Sequence, residues 1–236
     1  MIPAPVQEAG QVQFRLIALD QPESELKRLR GFLSADELQR GSRLLDPKLR
    51  DRFFVGRGVL REVLAEITGE GPGCIRFYEG EFGKPYLLSH QGPDAITFNL
   101  SHAGSYLLVV TAVGCQVGVD LELVVPDLLY HPMAQRYFSA REQEDLFSLA
   151  PAEQLAAFYR CWTRKEAYMK GAGTGFSQPS NSFDVSLLPN QKPALLAHRG
   201  SPAEVARWSI DDLVMPRGYC AAVAVENVPS PGGQCH

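Results

Sequence analysis

A chain of 236 residues, 45% hydrophobic and 21% charged, has the length and apolar content to bury a core, which excludes a disulfide-held miniprotein, a fibrous chain and a disordered one. The net charge of −4 excludes a broad non-specific surface for nucleic acid or another long polyanion, while leaving room for a local basic pocket. Cys74, Cys115, Cys161, Cys220 and Cys235 are odd in number and form no Cys-x-x-Cys pair, so zinc and dithiol chemistry are not indicated and free thiols in a reducing compartment are expected.

From the N-terminus, Met1 to Glu8 lacks the basic flank and apolar core of a secretory signal. Val12 to Ala18 alternates as a strand. Ser34-x-x-Glu37 is a capping signal for a short helix, and Asp51 to Ile67 carries the period of a long one. Gly80 to Pro85 is a tight turn presenting Lys84, and Asn99-Leu-Ser-His-Ala-Gly104 ends a further strand. The longest apolar stretch, Tyr106 to Val119, is broken by Gly114 and Gln116 and is too short for a bilayer. No membrane association and a cytoplasmic location are therefore expected. Val117 to Leu123 reads as a strand, Ser139-x-x-Glu142 as a second capping signal, Glu153 to Met169 as a second long helix, and Gly171 to Gly175 as a helix stop and flexible loop. Val228 to His236, with two prolines and two glycines in nine residues, is expected to be a disordered tail.

This order contains a repeat. Phe32-Leu-Ser-Ala-Asp-Glu37 reads like Tyr137-Phe-Ser-Ala-Arg-Glu142, an offset of 137 − 32 = 105 that also pairs Leu44 with Leu149 and Phe53 with Phe158. Lys84-Pro-Tyr-Leu-Leu88 then matches Lys192-Pro-Ala-Leu-Leu196, and Tyr106 to Ala112 matches Tyr219 to Val225. The expected fold is α+β, a pseudo-twofold duplication with halves 1–116 and 117–227, a tail at 228–236 and a ligand in the cleft between halves.

Two places break the structural pattern. Leu155, Phe158, Tyr159, Trp162 and Met169 share one face of the second long helix, and Glu166 falls in the middle of that stripe. Such an acid is either in a salt bridge, with Lys170 four residues on, or functional. Asp120 and Glu122 project from the same face of their strand, which alone describes a solvated face. A third acid nearby would instead call for a divalent ion, and magnesium suits oxygen ligands and phosphates. Lys84 and Ser101-His102 are phosphate-binding material, each equally at home in a plain turn or a local hydrogen bond. No Gly-x-Ser-x-Gly elbow and no Walker lysine occur.

Gly83-Lys-Pro85, Phe98-Asn-Leu-Ser-His102, Val117-Gly-Val-Asp-Leu-Glu122, Phe138-Ser-Ala-Arg-Glu142 and Trp162-Thr-Arg-Lys-Glu-Ala-Tyr-Met-Lys170, taken in order, resemble the Sfp-type 4′-phosphopantetheinyl transferases. The resemblance spans nearly the whole chain and implies a pseudo-dimer of two similar halves. It makes Asp120, Glu122 and Glu166 the Mg2+ ligands. It puts Ser101 and His102 on the coenzyme A phosphates, His102 chiefly on the 3′-phosphate, with Asn99 in the same stretch. Lys84 would meet the nucleotide end and Arg40 the 3′-phosphate, while some relatives carry a base where this chain has Glu37. Arg57 and Arg61 would add positive charge.

The implied reaction is attack of a carrier serine on the β-phosphorus of coenzyme A, with adenosine 3′,5′-bisphosphate leaving and Lys170 offsetting its charge. Either Glu166 or a metal-bound water would take the serine proton. The implied partners are coenzyme A and apo acyl or peptidyl carrier domains, docking near Ser139 to Phe147, and the chain is expected to be a monomer. Two other readings stand beside this one: a coenzyme A or nucleotide-binding regulator without transfer, and a magnesium-dependent hydrolase of a pyrophosphate bond.

Overall fold

The computed structural model describes residues 7–9, 12–175 and 178–228. Residues 1–6 of the N-terminal stretch read for a signal, and the tail beyond Val228, lie outside them. The strand β1 (Gln7–Ala9) pairs with β2 (Val12–Ala18), and the short helices α1 (Glu23–Arg30) and α2 (Ala35–Ser42) lead to the long α3 (Pro47–Thr68). A small hairpin, β3 (Phe77–Glu79) and β4 (Pro85–Leu87), precedes β5 (Ile96–Ala103) and β6 (Tyr106–Val113). Next come β7 (Val117–Leu123), α4 (Tyr130–Tyr137), α5 (Ala140–Ser148) and the long α6 (Pro151–Ala172). A second small hairpin, β8 (Phe183–Val185) and β9 (Leu195–His198), is followed by α7 (Glu204–Arg207), β10 (Trp208–Asp212) and β11 (Tyr219–Glu226). The architecture is mixed α and β, and every strand pair is antiparallel.

Two sheets carry the site, ordered β1-β2-β6-β5 and β10-β11-β7. In both, the first long strand (β2 or β7) lies beside the last strand of its segment, which in turn pairs with the strand before it. Both capping boxes form, with Ser34 and Ser139 each accepting from the amide three residues on. Their glutamates are buried and tied to a long helix, Glu37 to Arg57 and Arg61 and Glu142 to Lys165. Each long helix has 22 residues, starts with proline in its first turn and stops at a left-handed glycine, Gly69 or Gly173. A residue with a Cβ would be strained at that φ. Both helices start before the predicted Asp51 and Glu153, because proline at the first helical position is pre-set for the helix and α3 is further capped by Asp46.

The two sheets meet along β5 and β7, joined by side chains from one face of β5. Thr97 Oγ1 donates to the Cys115 carbonyl at 2.6 Å, Asn99 Oδ1 accepts from the Val119 amide at 3.1 Å, and Ser101 Oγ donates to Asp120 Oδ1 at 3.0 Å. Asn99 to His102 therefore lie within the last half of β5, whose ladder with β6 continues to Ala103 opposite Tyr106, so the stretch Asn99 to Gly104 ends the strand as expected. On the other side, α6 crosses β7 at Gly118. A Cβ there would lie 2.1 Å from both the Ala167 carbonyl oxygen and the Gly171 amide nitrogen, so only glycine permits this approach.

Candidate active site

The close crossing at Gly118 brings one face of α6 against the acidic face of β7. Along β7 the order is Gly118, Asp120, Glu122, and along α6, running the opposite way, it is Gly171, Lys170, Glu166, Trp162. Lys170 Nζ meets Asp120 Oδ1 at 2.6 Å and Ser101 Oγ at 3.0 Å, and Trp162 Nε1 meets Glu122 Oε1 at 3.0 Å. One turn further, Tyr159 accepts from the Val125 amide at 3.0 Å. Asp120, Glu122, Trp162, Glu166 and Lys170 line a cleft of about 850 Å³, with Ser101 and His102 contributed by β5 and Tyr137, Phe138 and Met169 closing its apolar side. A second groove of about 660 Å³ shares Leu100 and His102 with the first and is lined by Arg40, Arg52 and Arg57.

The carboxylates are held at a cost. Burial, then the neighbouring Asp120, pushes Glu122 up to about 7, and the Trp162 hydrogen bond opposes this. Burial and Asp120 also raise Glu166, with Lys170 pulling the other way. The sequence alternative of a Glu166–Lys170 pair is not what the structure shows. Lys170 goes to Asp120, and Glu166 has no hydrogen bond or ion pair among the described residues. Asp120 is 3% exposed, and its Oδ2 is buried without a hydrogen-bond partner, a costly state for a carboxylate oxygen.

That orphaned oxygen, beside two further acids with oxygen donors only, fits a hard divalent cation. Among the described residues, however, no three such side chains stand close enough together to hold one as they are.

The other expected contacts divide. Ser101, His102, Glu166 and Lys170 reach the cleft, and Arg40 reaches the adjoining groove, where it makes no ion pair among the described residues. Lys84 does not: its ammonium is spent on the Gly171 carbonyl at 2.9 Å and on the Val117 carbonyl and Gln116 at 3.3 Å, and burial holds it down to about 8. Asn99 is equally committed to the Val119 amide. In this structure both side chains tie elements together, Lys84 the β3–β4 turn to β7 and α6, and Asn99 β5 to β7. Glu37 pairs with both Arg57 and Arg61, leaving one positive charge over, and Arg61 is further buried against the carbonyls of Pro72 and Ile75, so neither arginine is an uncommitted phosphate ligand.

Sequence reasoning passed over Trp162 as a member of the apolar stripe. The available signal was its spacing, four residues before Glu166 as Lys170 is four after.

Comparison with known proteins finds relatives along nearly the whole chain. Residues 116–224 match the family model ACPS, the 4′-phosphopantetheinyl transferase superfamily. The chain is 39% identical to the 4′-phosphopantetheinyl transferase HetI of Nostoc sp. over 92% of its own length and 88% of that protein's. It is 31% identical to the 4′-phosphopantetheinyl transferase Sfp of Bacillus subtilis, over 91% and 92% respectively. Among solved structures, holo-acyl-carrier-protein synthase of Thermotoga maritima is similar at 22% identity and a TM-score of 0.35, covering 47% of this chain and 62% of that one, a likeness that adds nothing to the assignment. With near full-length similarity to HetI and Sfp behind it, the chain belongs to the 4′-phosphopantetheinyl transferases.

Proposed function

We propose that the chain moves the 4′-phosphopantetheine arm of coenzyme A to a serine of an apo acyl or peptidyl carrier domain, releasing adenosine 3′,5′-bisphosphate, in a magnesium-dependent reaction. The observation that carries this is the adjacency of two clefts across Leu100 and His102, one acidic with Lys170 and one cationic with Arg40. A ligand with a phosphorylated nucleoside at one end and a pyrophosphate in the middle matches that division.

In this reading Arg40 and His102 bind the 3′-phosphate, His102 standing exposed at the junction of the two clefts. Asp120, Glu122 and Glu166 are the Mg2+ ligands, and the ion when bound would stabilise charge on the pyrophosphate oxygens. Lys170 lies beside Asp120 with 31% of its side chain exposed to the cleft, placed to offset charge on the leaving group. Ser101 holds both Lys170 and Asp120 in register. The carrier serine oxygen bonds to the β-phosphorus, the bond to the bridging oxygen breaks, and the serine proton goes to Glu166, whose proton affinity is raised by burial and by Asp120. Tyr137, Phe138, Trp162 and Met169 exclude water from one wall, which favours the carrier serine over hydrolysis.

The architecture is read as a duplication, residues 1–116 and 117–227. Its supports are the shared strand order, the paired capping boxes and the two 22-residue helices. One chain supplies both clefts, so the site needs no second copy.

The test is incubation with coenzyme A, Mg2+ and several apo carriers, followed by intact-mass analysis. One arm per carrier serine and one bisphosphate released, both stopped by chelation, is the expected result. Bisphosphate without mass gain would show hydrolysis, and neither product would show a binding module. No helix among the described residues is long and apolar enough to cross a membrane, so carriers free in solution suffice for the assay.

A further inference from the structure

Trp162 lines the acidic cleft, and the chemistry above gives it only a wall to form. Its indole N–H donates to Glu122 Oε1 at 3.0 Å, and among the described residues Glu122 receives no other hydrogen bond from a side chain. The ring is itself held, edge-on to Tyr137 at 5.6 Å and stacked on Phe158 at 5.9 Å between centroids. Phe158 is 1% exposed, so this side of the indole is anchored in the core.

The choice of donor matters. Asp120 receives a cationic donor, Lys170, which competes with a metal for the same negative charge. An indole has one N–H, no acceptor and no charge. It can fix one carboxylate oxygen without ligating a cation or neutralising the acid.

We propose that Trp162 is a positioning residue for the acid cluster: it holds one oxygen of Glu122, so that the carboxylate keeps its other oxygen turned to the divalent cation shared with Asp120 and Glu166. The proposal rests on the reading of Glu122 as a metal ligand. Without the indole N–H, the Glu122 side chain is free to rotate away from Asp120, which repels it, and the cation loses a pre-set ligand.

The test is direct Mn2+ binding, followed by electron paramagnetic resonance with coenzyme A present and no carrier, in wild type, Trp162→Phe, Glu122→Gln and the double variant. Phenylalanine keeps the stacking and deletes the donor. Loss of one hydrogen bond to a charged group should weaken Mn2+ binding roughly tenfold. In the Glu122→Gln background the same substitution should cost nothing further, because the acid it positions is gone. An equal loss in both backgrounds, or no loss in either, would overturn the proposal. Wild-type protein that binds no Mn2+ would remove the metal reading and this one with it, whereas wild-type binding matched by Trp162→Phe removes this one alone.

If Trp162→Phe melts without cooperativity, a second measurement keeps Trp162 in place. The chain has two tryptophans, and Trp208 is bonded to Glu204 outside the cleft. In Trp208→Phe protein the emission of Trp162 should shift on Mg2+ addition, and adding Glu122→Gln should abolish the shift. Emission indifferent to saturating Mg2+ would overturn the proposal.

Discussion

Replacing Gly118 by alanine tests the geometry on which the whole site depends. The added Cβ would sit 2.1 Å from the Ala167 carbonyl oxygen and the Gly171 amide nitrogen, where ordinary contact begins at 3.4 Å, a deficit of about 1.3 Å. Both atoms are backbone in the C-terminal turns of α6, so no side chain can turn aside and the end of the helix itself must lift from β7. Overpacking of this kind costs about 1–3 kcal/mol, and the upper end applies because the obstacle is backbone. For a chain of this size 3 kcal/mol lowers the melting midpoint by roughly 6–12 °C. The same lift separates Lys170 from Asp120 and Trp162 from Glu122, now at 2.6 and 3.0 Å. A displacement of about 1 Å in a reacting constellation costs about 10²-fold in rate. Carrier modification followed by mass spectrometry, beside a thermal melt, reads both effects. Binding of adenosine 3′,5′-bisphosphate alone should survive, because Arg40 and the groove around it lie across β5 from the crossing. A Gly118→Ala protein with wild-type midpoint and wild-type turnover would refute the claim that this contact sets the site.

Glu166→Ala should melt at or above the wild-type midpoint, because Glu166 makes no bond among the described residues and burial and Asp120 both disfavour its charge, while carrier transfer falls at least about 10²-fold. A fully active Glu166→Ala enzyme would remove that residue from the chemistry. His102→Ala should shrink the preference for coenzyme A over its 3′-dephospho form, measured as a ratio of affinities by calorimetry, and an unchanged ratio would move His102 off the phosphate. Lys84 is held by burial at about 8 against 10.5, so between those values the unfolded chain binds a proton that the folded one has released, and stability rises with pH. Relative to Lys84→Met, wild type should gain up to about 3 kcal/mol from pH 8 to 10.5, and parallel stability curves would show that the carbonyls around the ammonium keep it charged.

What could be read from the sequence was whatever depends on near neighbours. Val12 to Ala18 and Val117 to Leu123 have the same bounds in the structure as in the alternation that predicted them. Both Ser-x-x-Glu boxes close as written, since each is satisfied within four residues. Glu166 stood out because a carboxylate interrupts an apolar stripe, and it does line the cleft. Lys84 and Asn99 could not be placed in the same way. Their partners are backbone atoms 87 and 20 residues distant, and a backbone partner leaves no mark in the side-chain pattern. The same limit hid the fate of Arg57 and Arg61, whose partner Glu37 read locally as a capping residue only. Lys170 was placed one turn from Glu166 correctly, yet the nearer acid in space is Asp120, across the helix–strand contact.

That contact also explains why the motifs have the spacings they have. On β7, Gly118 to Glu122 is four residues, about 13 Å at the rise of a strand. On α6, Trp162 to Gly171 is nine residues, also about 13 Å at the rise of a helix. With the two elements antiparallel, Gly171 falls on Gly118 and Trp162 on Glu122, and Lys170 and Glu166 are left facing Asp120 between them. A two-residue period on one element and a four-residue period on the other stay in step over this length, so each acid meets its partner without distortion. The step holds only if the axes approach closely, which a side chain at position 118 would prevent. The glycines are therefore part of the same device as the acids: they set the distance at which a strand's carboxylates and a helix's carboxylate come to share one cleft.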